Sequence, residues 1–332
     1  MSQNLNTDTV VVTGAAGYIG GITCIELKKK GYKVIGIDRR FTGHLKRYYD
    51  DFLCVDFTDY DAFLAIKRSK PASIIHCAGT SLVGPSFTHP GIYFDNNVAR
   101  TNRLLNFIKD EIPKTKFIFS SSAAVYGNWN TYPYREYNET VPISPYGETK
   151  LMVERILKWY ENAFNLNFVS LRYFNACGAD IDAIHGQEPG ATHILARLFD
   201  AANNDTAFNL YGANYRTKDN TCVRDYVHVV DIADAHIKAM EEGVKGVFNL
   251  GSFKGTTNLE CLEYVEKNLG KEIVVNVCPA REGDPAILIA DPSKFQMVTG
   301  WKAWRTMPMV IEHLNKWYSS ETYKSLINNK RS

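Results

Sequence analysis

Val10-Val11-Val12, a β-branched run that reads as one buried strand, leads directly into Thr13-Gly14-Ala15-Ala16-Gly17-Tyr18-Ile19-Gly20. The stretch that follows, through Lys30, has helical character and stops at Gly31, and Lys33–Asp38 reads as a second strand ending in an acid. Glycines that follow a strand, open a helix and precede an acid about 20 residues further on let backbone N–H groups close on a pyrophosphate at the helix N-terminus. Asp38 would then accept hydrogen bonds from the adenosine ribose and repel a 2′-phosphate, which favours NAD over NADP. Arg39 and Arg40 pull the other way, since a guanidinium there could hold that phosphate. An ordinary tight βα turn is the bland alternative, outweighed roughly ten to one by the full strand–glycine–helix–acid context.

The alternation continues down the chain. Phe52–Val55 is strand-like and ends at Asp56, placed to meet an adenine edge; a helical segment around Tyr60–Ser69 follows. Ile74–Gly79 is the next strand, with small residues where a cofactor must pass closely, and His76 within it is a packed strand residue rather than a ligand. A long helix over about Gly91–Glu111, strand Lys116–Phe119 delivering Ser120-Ser121-Ser122, a helix from Pro145 to about Asn165 and strand Phe168–Arg172 complete the series. Regular β-α alternation of this kind predicts an α/β, doubly wound parallel sheet, with chemistry at the carboxyl ends of its strands. Gly14, Asp38, Gly79, Ser122 and Tyr173 all fall at such ends.

Ser144-Pro145-Tyr146-Gly147-Glu148-Thr149-Lys150 opens the second long helix with a good N-cap and a proline at the first helical position. Tyr146 and Lys150 then stand four residues apart on one face. A phenol with a reference pKa of about 10 is a poor base near neutrality, and an ammonium nearby would lower that value. The pair is thus a proton-transfer device for a substrate hydroxyl. About one chance Tyr-x-x-x-Lys is expected in a chain with 19 Tyr, so the spacing alone is weak.

Composition narrows the partners. A net charge of +2 over 332 residues offers no general attraction to nucleic acid or an anionic membrane. Seven Cys without a CxxC pair argue for reduced thiols, against a disulfide framework or zinc site, and no metal is expected. The polar N-terminus lacks a signal core, and no apolar run approaches the roughly 20 residues of a membrane span, so a cytoplasmic location is expected.

Later motifs carry a family likeness. Asp-Asn-Asn-Val at 95–98, Phe-Ser-Ser-Ser-Ala-Ala-Val-Tyr-Gly at 119–127, Ser-Pro-Tyr-Gly at 144–147 and Leu-Arg-Tyr-Phe-Asn at 171–175 join the glycine turn. Val-Arg-Asp-Tyr-Val-His-Val at 223–229 and Arg-Glu-Gly-Asp-Pro-Ala at 281–286 extend the set. Over roughly residues 9–318 the chain resembles the extended short-chain dehydrogenase/reductases, and within them the UDP-glucose 4-epimerases. The resemblance implies a Rossmann-type domain over 8–175 with a return near 227–249. A smaller mixed α/β substrate domain would span 176–226 and 250–318, followed by a flexible tail over 319–332. It implies NAD held by Gly14, Gly17, Tyr18, Ile19, Gly20, Asp38, Asp56 and Phe57, and also by Ala78, Gly79, Asn96, Ser120, Lys150 and Tyr173. For a UDP-hexose it implies Tyr146 as the base at the 4-hydroxyl, Lys150 as its support and Ser122 as proton shuttle. Asn175, Arg224 and Arg281 would meet the diphosphate or sugar, Asp284 the uridine ribose, and Leu288 would gate the pocket for N-acetylated sugars. Homodimers through the two long helices are also implied, with Trp159, Tyr160 and Phe164 as candidate apolar surface.

The likeness has departures. Ser81 and His193 stand where many members carry Lys and Asn, and Leu288 is intermediate between the Tyr that excludes N-acetyl groups and the small residues that admit them. Ala123-Ala124 after Ser122 lack the carboxylate of related dehydratases and decarboxylases. The alternatives are another NAD(P)-dependent sugar-nucleotide enzyme, a 4-reductase or UDP-uronate epimerase, and a non-catalytic nucleotide-binding regulator on the same fold.

Overall fold

The inner apolar runs are flanked on both sides by like neighbours, and the sheet follows from that. The computed structural model describes residues 8–128, 132–281 and 284–331. In chain order the strands are β1 (Thr9–Thr13), β2 (Lys33–Asp38), β3 (Asp51–Cys54), β4 (Ser73–His76), β5 (Lys116–Ser122), β6 (Phe168–Tyr173) and β7 (Asn175–Cys177). There follow β8 (Phe208–Tyr211), β9 (Val223–His228), β10 (Gly246–Leu250), β11 (Gly255–Thr257), β12 (Val275–Cys278) and β13 (Ile287–Leu288). Seven of them form one parallel sheet, ordered β10-β6-β5-β4-β1-β2-β3. Val10–Thr13 pair with Val34–Ile37 on one side and Ser73–His76 on the other, so β1 is buried on both faces.

Side chains alternate between two apolar layers. Val10 and Val12 face one core with Ile25 and Leu27 of helix Tyr18–Lys29 and Ile232 of helix Val229–Ala239. Val11 faces the other, with Leu104 and Ile108 of helix Arg100–Glu111 and Val153 and Leu157 of helix Pro145–Phe164. The strand order reverses between β1 and β4, which opens a crevice at their carboxyl ends.

After β6 the chain leaves this sheet. β7, β9, β11 and β13 form a small mixed sheet, and β8 and β12 pair in parallel beside it. Helices Ile194–Asn204, Asn258–Leu269 and Met307–Ser319 pack round a second core that includes Phe199, Val265 and Trp317. The return to the main sheet is made by β10 with helix Val229–Ala239, whereas Val227 and His228 belong to β9 in the small sheet.

Three features differ from the sequence expectations. Helix Ser293–Thr299 belongs with the main sheet: Phe295 lies 5.2 Å from Phe248 of β10, and both join Trp301 in the first core. The helix foreseen over 91–111 starts at Pro90 and contains a π-helical turn, Phe94–Ala99, which periodicity does not reveal. The tail expected to be flexible forms helix Glu321–Arg331, because Tyr323, Leu326 and Ile327 make an apolar stripe at helical spacing. Among the described residues no helix is long and apolar enough to cross a membrane.

Tyr323 is buried to 5% exposure, with its ring 4.8 Å from Tyr318 and 5.6 Å from Trp317. Tyr323→Ala is expected to cost about 3 kcal/mol in urea unfolding; an unchanged midpoint would show that the terminal helix adds nothing to the second core.

Candidate active site

The turn after β1 works because two of its residues lack a Cβ. Gly14 sits at φ +71°, and a Cβ there would come within 2.6 Å of the Ala78 backbone nitrogen. A Cβ on Gly20 would lie 2.1 Å from the Gly14 carbonyl oxygen. Gly17 caps helix Tyr18–Lys29 without a side-chain acceptor, so the first-turn amides around Tyr18 and Ile19 stay at the mouth of the crevice. Asp38, at the end of β2, accepts from Ala16 N (3.0 Å) and Arg40 N (3.3 Å). The Arg40 side chain is committed: it pairs with Glu188 (2.6 Å) and donates to the Ala16 carbonyl (3.3 Å).

A segment from the second half closes over this turn. Tyr18 Oη donates to the Gly178 carbonyl (2.6 Å), and His185 Nε2 donates to the Gly17 carbonyl (3.2 Å). His44 braces His185 from behind at 3.0 Å.

At the ends of β3 and β4, Asp56 takes Thr58 Oγ1 (2.7 Å) and Arg100 Nη1 (2.5 Å), and Phe57 packs edge-on to His76. His76 is fully buried between Thr13 and Thr101 hydroxyls, and burial pushes its pKa down to about 3, so it is a neutral packing residue. Ala78 and Gly79 line the crevice, and the π turn sets Asn96 on its wall. The neighbouring Asn97, which the sequence reading gave no separate role, accepts from Thr80 N (2.7 Å) and donates to Thr80 O and Thr149 Oγ1 (both 3.0 Å). It thereby ties the Gly79 loop to the Tyr146 helix. Its only sequence signal is an amide inside a helical stretch.

Ser144 accepts from Gly147 N (3.1 Å), so helix Pro145–Phe164 begins where its cap and proline foretold. Lys150 is buried and donates to the Ser120 carbonyl (2.7 Å), its Nζ lying 5.8 Å from the Tyr146 ring centre and 4.9 Å from that of Phe119. Burial pushes its pKa down to about 8. Ser122 and Tyr146 line the cleft together, and the Ser122 hydroxyl favours the ionised phenol. The expected lowering of the phenol's pKa is reversed here: burial raises it, and the nearby Ser122 hydroxyl only partly offsets that. An ammonium turned to a backbone carbonyl does not make up for lost water. Tyr173 Oη is fixed by His236 Nε2 at 2.5 Å.

The crevice is continuous with a second compartment, together about 1760 Å³, larger than a single drug-sized pocket. Asn175, Arg224, Arg281, Asp284 and Leu288 line that far end. Arg224 and Asp284, expected to contact different parts of a ligand, form an ion pair at 2.5 Å, and Arg281 stacks over Tyr211 at 4.2 Å. Leu288 packs beside Tyr126, Tyr134 and Phe174. His193, already singled out in the sequence, lines the compartment with loop residues 187–192 and strand β8; the loop carries no periodic signal, and nothing local to β8 shows that it reaches this cleft. The carboxylates among the described lining residues, Asp38, Asp56, Glu188, Asp200 and Asp284, lie on elements other than the one that follows Ser122. Among the described residues no metal-binding group of acids, His and Cys occurs.

A model of the NAD dependent epimerase/dehydratase family matches residues 10–251. The UDP-glucose 4-epimerase of Lacticaseibacillus casei is 40% identical over 326 residues, covering 94% of this chain and 97% of its own. The structure of UDP-glucose 4-epimerase from Bifidobacterium longum in complex with NAD+ and UDP superposes with a TM-score of 0.87 at 34% identity, over 95% of this chain and 99% of that one. That of the Stenotrophomonas maltophila UDP-glucose-4-epimerase, with bound NAD and formylated UDP-arabinopyranose, gives 0.88 at 30% identity, over 98% and 99%.

Gly20→Ala forces its new methyl onto the Gly14 carbonyl, and the turn must open to admit it. The substitution is expected to lower both the thermal midpoint and the dinucleotide content of the purified protein. Retention of both at wild-type values would mean the turn is looser than its geometry implies.

Proposed function

This chain belongs to the NAD dependent epimerase/dehydratase family, and from that premise we propose that it interconverts the C4 epimers of a UDP-hexose with NAD as resident cofactor. The observation that carries this reading is convergence: the glycine cradle and Ser122, Tyr146 and Lys150 line one cleft, which continues to Arg224 and Arg281. NAD fits the cradle, because the uncapped first turn at Tyr18 and Ile19 and the Asp38 carboxylate line it, and Arg40 is paired with Glu188. Bound there, NAD supplies a reversible hydride acceptor for C4.

The residues supply the rest. Tyr146 takes the proton of the 4-hydroxyl, and Ser122, which lines the cleft with that phenol, orients the same oxygen. Lys150 contributes positive charge next to the phenol and a donor for the cofactor ribose. Oxidation at C4 leaves a ketone, and its reduction from the opposite face needs the sugar to turn while the nucleotide stays put. Arg224 and Arg281 are the guanidinium anchors at the nucleotide end, with Asn175 and Asp284 beside them. Elimination or decarboxylation chemistry is disfavoured, since Ala123 and Ala124 follow Ser122 where an acid would be needed. Two copies would pair through helices Arg100–Glu111 and Pro145–Phe164, where Trp159 and Phe164 are exposed.

The test is incubation with UDP-galactose and no added nicotinamide, followed by NMR for UDP-glucose. Turnover supports the epimerase; dependence on added NADPH would replace it with a reductase. Tyr146→Phe is expected to lower kcat by about a thousandfold with the NAD content unchanged, and wild-type turnover by that variant would remove Tyr146 as the base. Leu288→Tyr narrows the sugar end, and is expected to reduce kcat/KM on UDP-N-acetylglucosamine at least about tenfold relative to UDP-glucose. Equal effects on both substrates would take Leu288 out of the gate.

A further inference from the structure

The stripe that carries Tyr146 and Lys150 has a third member. Glu154 stands four residues beyond Lys150 on the same helix, is buried to 5% exposure, and does not line the cleft. Its Oε1 accepts from Ser121 Oγ (2.5 Å), Arg172 Nε (3.0 Å) and Ser170 Oγ (3.3 Å), and its Oε2 from Arg172 Nη2 (2.6 Å). Ser121 lies between Ser120, whose carbonyl holds the Lys150 amine, and Ser122, which lines the cleft with Tyr146. One carboxylate therefore joins the helix bearing base and ammonium to the two strands that present their partners. Arg172 extends the joint: its Nη1 donates to Tyr126 Oη (2.9 Å), in the segment directly after Ser122.

A charge buried this deeply is a costly way to hold a helix, and an apolar pair of the same volume would do it at less expense. Lys150 supplies a reason for it. Facing that amine are His76 and Cys77 from the end of β4, Tyr173 from β6, the Ser120 carbonyl from β5, and Tyr146 and Glu154 from its own helix. Burial holds His76 neutral at about 3 and pushes the Cys77 thiol up to about 12, and it raises Tyr146 and Tyr173 above the usual phenol value. Near pH 8 those four are uncharged. Of the two groups that favour the ammonium, Cys77 and then Glu154, the salt-bridged Glu154 carboxylate is the one that bears a charge.

Resting on the reading of Lys150 as the working cation, we propose that Glu154 is a positioning residue for the reaction: it clamps the catalytic helix onto β5 and β6, and its charge keeps the Lys150 amine protonated. Arg172 shares that carboxylate and offsets part of its field, so the effect is moderate.

Glu154→Gln leaves Arg172 buried without its counter-ion, and the fold has to survive that. Glu154→Gln combined with Arg172→Met removes both charges and keeps the volume. Lys150 is titrated by NMR in protein labelled at lysine 13Cε, its resonance assigned by loss in Lys150→Met. The expected midpoint falls by about half to one pH unit in the double variant, further in the single variant if it folds, and the alkaline limb of kcat moves with it. A midpoint unmoved in the folded double variant, with kcat changed evenly at every pH, overturns the proposal and leaves Glu154 a structural tie. The titration needs no turnover, so a wild-type protein inactive on UDP-hexoses would sink the functional reading while the NMR midpoints still judge Glu154.

Discussion

Backbone meets backbone where the turn after β1 crosses the end of β4, with room for no atom beyond Cα at residue 14. That contact sets how closely the first helix approaches the sheet, and so where its amide-bearing end stands relative to the carboxyl ends of β4 and β5. The remainder of the cleft is measured from it. The loop after β4 is fixed through Asn97 to Thr149, one residue before Lys150, and Lys150 reaches across to β5. A side chain at residue 14 would displace the glycine turn first, and through these links the helix that carries Tyr146.

Burial is the second organising fact. Several titratable groups beneath the cleft are pushed toward their uncharged forms. His76 and His236 lie far below the normal imidazole value, and Cys77 and Tyr173 lie above theirs. Such groups behave as shaped hydrogen-bonding pieces rather than as acids or bases. Among such neutral neighbours, the Lys150 ammonium and the buried Glu154–Arg172 pair have more reach than they would in water.

Local rules made the main sheet readable before any coordinates. Val10–Val12, Lys33–Asp38 and Ile74–His76 are short apolar runs with clear boundaries, and Ser144-Pro145 marks a helix start to the residue. What stayed hidden depended on distant neighbours. Nothing near Arg224 signals that Asp284, sixty residues on, will take its charge. Phe295 and Trp301 look like any apolar pair until β10 returns to meet them, and a π turn leaves the residue pattern of a helix unchanged. The terminal stripe of Tyr323, Leu326 and Ile327 was short and set in polar sequence, so its partner core had to exist before its meaning showed. The phenol's raised pKa belongs here too: spacing places an ammonium beside it, but only burial in three dimensions decides which influence prevails.

The span from Gly178 to Glu188 bridges the two halves by three separate fastenings: a phenol from Tyr18, an imidazole from His185 and the guanidinium of Arg40. Together with the first helix they turn the nucleotide cradle from a ledge into a hoop. Lifting that span off the turn requires all three fastenings to break together, although each alone is a single contact.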